Sequence, residues 1–169
     1  MKVISKDQLL NAILKECLLC KRLATKIPPG ALEYRPTPGQ RSILELLRYV
    51  SFAHLAMAHT LVDGNWNFWK AQEEQAKQVQ AEGFPAAMDS QMADLKDFFL
   101  ALTEEVLHRP VQGMPWKTVQ PLGVELMEHC YAFAVGYRMQ LFIYVKASGA
   151  VSLDTADCWF ATEDENRPW

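Results

Sequence analysis

Within its last long apolar run the chain reads Phe133-Ala-Val-Gly-Tyr137-Arg138-Met139-Gln140-Leu141. Residues four apart on a helix lie one above the other, so Phe133 and Tyr137 share a face. Two imidazoles at that spacing would be a strong metal signal. A phenyl ring has no lone pair to give a metal, and a phenol titrating near about 10 keeps its proton at neutral pH. The pair offers an aromatic surface and one hydroxyl instead. His129, four residues before Phe133, falls on the same stripe and is read in two ways. It is a displaced ligand or general base facing a cavity, or a core histidine hydrogen-bonded to Tyr49, Tyr137 or a backbone carbonyl.

The other reactive side chains have plainer readings. His54 lies on an apolar stripe and is expected to be partly buried. His59 and His108 are expected at the surface near helix ends, and for His108 a cation near the C-terminus of helix 3 interacts favourably with its dipole. Cys17-Leu-Leu-Cys20 has redox or half-zinc spacing, but it sits inside an apolar helical repeat with no second pair. Buried thiols are the reading there. Glu45, three residues after Ser42, is a helix-cap partner before it is a catalytic acid. No Gly-rich phosphate loop, Gly-x-Ser-x-Gly elbow or His-Glu-x-x-His motif occurs.

Four segments with helical periodicity must position these groups, and none of the chain alternates with the period of a strand. The first runs from about Ser5 to Lys26, opened by Ser5 with Gln8 and stopped by Pro28-Pro29-Gly30. The second is capped by Ser42 and ended by Gly64. Residues 64–85 read as a long crossover carrying a surface helix over about Gln72–Glu82. The third spans about Ala86 to His108. The fourth starts at Pro121 and runs to about Ser148-Gly149, with Leu122, Leu126, His129, Phe133, Tyr137, Gln140 and Tyr144 as its inward stripe. Together these predict one all-α domain over residues 1–169, a four-helix bundle with a long crossover between helices 2 and 3. The short connections after helices 1 and 3 favour antiparallel neighbours, and residues 150–169 read as an irregular tail.

At 169 residues, 50% apolar and 22% charged, the chain can bury a full core and is not disordered. A net charge of −3 leaves no basic footprint for nucleic acid or an anionic membrane. No apolar run reaches a membrane span, and the N-terminal residues lack the apolar core of a signal peptide. With four cysteines read as reduced thiols, a cytoplasmic protein is expected.

Two motifs carry a family resemblance. Arg35-Pro36 followed by Ser42-Ile43-Leu44-Glu45-Leu46-Leu47-Arg48-Tyr49 resembles the second helix of the DinB/YfiT-like bundles, whose pattern there is Ser-apolar-x-Glu-apolar-apolar-x-His. Tyr137-Arg138-Met139-Gln140-Leu141 with Gly149 downstream resembles their fourth helix, His-x-x-x-His-Arg-Gly-Gln-Leu followed by Gly. The resemblance covers roughly residues 5–149 and implies a divalent metal such as zinc or nickel held by three histidines. Those places here hold Tyr49, Phe133 and Tyr137, and Met139 replaces the glycine. A three-histidine site cannot form from these side chains, so no metal cofactor is expected at them. Arg138 and Gln140 follow the family pattern and are expected to organise packing near the site.

The leading expectation is a metal-free binding or interaction module with an interior ligand pocket lined by Tyr49, His129, Phe133 and Tyr137. Two alternatives stand beside it. One is an enzyme of the hydrolase or thiol-transferase type using His129 with Tyr49 or Tyr137. The other is a relocated divalent-metal site built on His129 and His54 with a carboxylate. A homodimer is expected, because Trp66, Phe68, Trp69, Trp159, Phe160 and Trp169 place a large aromatic load outside the core stripes.

Overall fold

Serine caps start the first two long helices. In a computed structural model describing residues 4–114 and 118–160, α1 spans Lys6–Ala24 and α2 spans Ile43–Asp63. The Ser5 hydroxyl accepts from the Gln8 N–H while the Gln8 side chain accepts from the Ser5 N–H. Ser42 and Glu45 repeat this reciprocal pair at α2. Each pair satisfies two otherwise orphaned N–H groups, and removing such a serine oxygen costs about 1 kcal/mol. Gly64 closes α2 at φ 68°, a left-handed conformation that glycine adopts without strain.

The remaining helices are α3 (Asn67–Ala76), α4 (Phe84–Ala101), α5 (Leu122–Leu126), α6 (Ala132–Ala147) and α7 (Thr155–Trp159). A π turn, Met127–Tyr131, joins α5 to α6. Strands β1 (Pro110–Val111) and β2 (Gln120–Pro121) pair antiparallel across the loop before α5. The fold is all-α apart from this clip. No helix among the described residues is long and apolar enough to cross a membrane.

Each of α1 and α2 packs against both α4 and α6. They therefore take opposite corners of the bundle, which corrects the expectation that helices 1 and 2 are immediate neighbours. The connection between them is long enough to cross the bundle end. It buries Ala31 and sets the Tyr34 ring 6.4 Å from Tyr144 of α6. Ile13, Leu46, Met57, Met88, Leu95, Phe99 and Leu141 fill the space between the four corners.

Three expected boundaries move. The crossover helix lies at Asn67–Ala76, earlier than Gln72–Glu82. It packs on α2 through Phe68, Trp69 and a buried Ala76. The third long helix ends at Ala101, because Leu102 turns extended; the Val106–His108 stretch is a separate 3-10 turn, with the Thr103 hydroxyl accepting from Val106 N–H. Such a hydroxyl competes with helical bonding. The tail is not wholly irregular, since α7 starts at an Asp154–Asp157 capping box and Asp157 pairs with Arg22 of α1 at 2.8 Å. Trp169 and the acidic residues Glu163, Asp164 and Glu165 lie outside the described residues.

The fourth segment is corrected most usefully. Its buried line is Leu122, Leu126, Cys130, Ala134, Arg138, Leu141 and Val145. His129, Phe133, Tyr137 and Gln140 sit one position off that line and are only half-buried. The π turn explains the shift: its wider turn advances the core-facing register by four residues where an ordinary stripe would alternate three and four.

Candidate functional site

Tyr49 rises from the first half of α2, and Phe133 and Tyr137 stand one turn apart on α6. The Tyr49 and Tyr137 rings lie 4.7 Å apart, Phe133 and Tyr137 4.8 Å, and Tyr49 and Phe133 6.4 Å. The cluster continues through Phe52 and Trp69, 5.7 Å and 5.8 Å from Tyr49. These are edge and tilted contacts, the geometry in which ring quadrupoles attract. The Arg41 guanidinium sits over the Tyr49 ring at 4.0 Å, a cation–π contact at the solvent side.

Burial raises the Tyr49 phenol above its ordinary value, and the hydrogen bond with Tyr137 raises it further; Arg41 pulls the other way without prevailing. The phenol is therefore neutral at physiological pH and acts as donor or acceptor, not as an anion. Beside the ring lies a cavity of about 290 Å³ lined by Arg41, Glu45, Arg48, Tyr49, Phe52 and Lys77, among others. Arg48 is anchored to the Val79 carbonyl at 2.8 Å, and Glu45 faces Arg35 at 3.3 Å while keeping its cap role.

His129 keeps different company. It lies on the π turn, and its Nε2 stands 3.2 Å from the carboxylate of Glu125, one turn earlier on α5. That approach is close, but its angle is not that of a hydrogen bond, and neither Glu125 oxygen nor His129 Nε2 has a hydrogen-bond partner. The tyrosine and carbonyl partners expected for His129 are replaced by Glu125. Glu128 completes a group whose ligand atoms all lie within 4.8 Å of one another. Among the described residues that group does not include His54, so the expected His129–His54 pairing is not what the fold assembles.

No protein-family model matches the sequence, and no curated protein matches it. Among solved structures, the crystal structure of the DinB-like protein YjoA from Bacillus subtilis superposes with a TM-score of 0.63 at 22% identity, covering 84% of this chain and 92% of that one. The chain has a DinB-like fold.

In this DinB-like bundle His54 is completely buried, beyond the partial burial expected, and neither ring nitrogen has a partner. Burial alone pushes its pKa down to about 4, so it is neutral at pH 7. His59 is no free surface residue: it stacks on Phe68 at 3.9 Å and meets Asp63 at 3.4 Å. His108 is exposed as expected, on the 3-10 turn. All four cysteines are free and buried. Burial pushes the Cys17 thiol up to about 12, which removes it as a nucleophile.

Arg138 is fully buried, and its Nε donates to Glu16 of α1 at 2.7 Å. Its Nη1 meets Cys158 Sγ at 2.9 Å, and Trp159 of α7 covers the guanidinium at 4.7 Å. Gln140 donates to the Tyr144 hydroxyl at 2.7 Å. Both side chains thus organise packing, as the family pattern implies. Glu125 and Glu128 were missed by sequence reading, although Glu125-x-x-Glu128-His129 puts three ligand-type side chains at i, i+3 and i+4.

Proposed function

We propose that this protein is a small-molecule binding module whose recognition face is the aromatic cluster of Tyr49, Phe133 and Tyr137, with Arg41 and the adjoining cavity completing it. The observation that carries this reading is the 4.7 Å contact of Tyr49 with Tyr137 under an exposed arginine. A neutral phenol pair and a phenyl ring cannot polarise a bound water as a Lewis acid would, so metal-dependent hydrolysis is not the chemistry of this cluster. The same groups suit a flat, partly polar molecule. It would displace Arg41 from the Tyr49 face, stack there, and hydrogen-bond to the phenols.

The cytoplasm is the compartment we propose, a reading supported by four unpaired thiols. A homodimer is the assembly we propose. Its support is narrower than the aromatic count suggested, because Phe68 and Trp69 turn onto α2, while Trp66 and Trp159 stay more than a third exposed.

A second reading is favoured by one contact. The 3.2 Å approach of Glu125 to His129 brings together a carboxylate and an imidazole, the residue types of a general base and its partner. His129→Ala separates the two readings. A binding module keeps its ligand after this substitution, whereas an enzyme of this kind binds substrate and loses turnover. The direct test is a thermal-shift screen of planar aromatic and heteroaromatic compounds against wild type and Tyr49→Ala, with protection expected only in the wild type.

A further inference from the structure

The turn one step N-terminal to the aromatic cluster carries chemistry that the binding reading does not use. Glu125 is completely buried, and neither carboxylate oxygen has a hydrogen-bond partner. Buried polar groups ordinarily find a hydrogen-bond partner, so an orphaned carboxylate at this depth calls for one. The backbone of Gly113 also approaches so closely that a Cβ there would lie 1.7 Å from Glu125 Oε2. Gly113 therefore offers contact without room for another side chain.

The group facing the carboxylate is His129, whose Nε2 lies 3.2 Å from Oε2 and is itself buried without a hydrogen-bond partner. Two ligands each about 2.0–2.1 Å from a tetrahedral metal stand about 3.3 Å apart, which is the separation found here. Glu128, three residues after Glu125 and exposed, brings a second carboxylate into the 4.8 Å group. The π turn sets this register, since Glu128 and His129 lie within Met127–Tyr131 while Glu125 lies on the ordinary helix before it. Single π turns recur at functional sites because they re-aim side chains within a helix.

Glu128 also lines a groove of about 450 Å³ together with Lys6, Leu107, His108 and Met127. Glu128 is thus reached from solvent through this groove.

We propose that Glu125, Glu128 and His129 bind one divalent first-row transition cation, with its remaining positions open to water. One imidazole with two carboxylates suits zinc, cobalt, iron and manganese ions, and three protein ligands leave a coordination position free. The site shares no ligand with Tyr49, Phe133 and Tyr137. It goes beyond the binding reading and stands or falls separately from it.

Chelator-treated protein titrated with Zn²⁺, and with Co²⁺ followed by visible absorption, tests the site without any assay of activity. The expected result is one cation per chain, with Co²⁺ bands of low coordination number. Glu125→Gln and His129→Ala should each weaken binding by at least about tenfold, while Tyr137→Phe leaves it unchanged. Glu128→Gln, at an exposed position, should also weaken Zn²⁺ binding, and it serves as the test if the buried variants melt early. The proposal is overturned if wild type binds neither ion below millimolar concentration. It is equally overturned if Glu128→Gln and His129→Ala bind as wild type does, or if Tyr137→Phe alone abolishes binding.

Discussion

Arg138 Nε donates to Glu16 Oε2 across 2.7 Å with both side chains out of solvent, so one buried ion pair ties α6 to α1. Burial disfavours the guanidinium charge, but the hydrogen bond and charge of Glu16 outweigh it and raise the Arg138 pKa. Removing one partner leaves the other charge buried and uncompensated, which costs about 3–5 kcal/mol. Glu16→Gln should therefore lower unfolding free energy by about 3 kcal/mol in urea denaturation. The double variant Glu16→Leu with Arg138→Met should recover most of that loss. If the double variant is less stable than the sum of the two single losses, the pair is not the unit that matters.

His54 gives a pH dependence with a definite sign. Its folded-state pKa of about 4 lies below the ordinary histidine value of 6.5. Between those values the unfolded chain binds a proton that the folded chain refuses, so stability falls as pH drops through that window. The difference corresponds to about 3 kcal/mol once both values are passed. Replacing His54 with Leu should flatten the stability curve between pH 6.5 and 4 relative to wild type, measured as denaturant midpoints at each pH. Parallel curves for the two proteins would mean that His54 is solvated or paired in solution.

Assembly is checked by light scattering at micromolar concentration. A homodimer gives about twice the 19.2 kDa of the chain. Trp66→Ser and Trp159→Ser should shift the population toward the single-chain mass if these exposed rings form the contact. A wild-type mass near that of one chain at all concentrations excludes the dimer.

Helix existence was legible because the signals were local. Ser5 with Gln8, Ser42 with Glu45, and Gly64 announce ends that need nothing from the rest of the fold. The bundle arrangement was less so: the Pro/Gly-rich connection between α1 and α2 is compatible with adjacent or opposite corners, and packing against α4 and α6 decides for opposite ones. Within the site, the convergence of Tyr49 with Phe133 and Tyr137 could be anticipated from spacing and family resemblance. Their half-buried position could not, because a π turn leaves no sequence mark and moves the core line onto Cys130, Ala134 and Arg138. Periodicity put His54 on an apolar stripe, but the absence of hydrogen-bond partners around its ring and around the Glu125 carboxylate is a long-range fact.

Recognition of a small planar molecule by Tyr49, Phe133 and Tyr137 is what the proposed function requires. Isothermal titration of a screening hit against wild type, Tyr49→Ala, Tyr137→Phe and His129→Ala tests it most directly. Stacking on an aromatic face contributes about 0.5–1.5 kcal/mol beyond area burial. Tyr49→Ala, which also removes that area, should therefore weaken binding by at least about tenfold. Tyr137→Phe should weaken it less, through one lost hydrogen bond, and His129→Ala should leave it unchanged. Equal affinity for wild type and Tyr49→Ala, or loss confined to His129→Ala, would contradict the account.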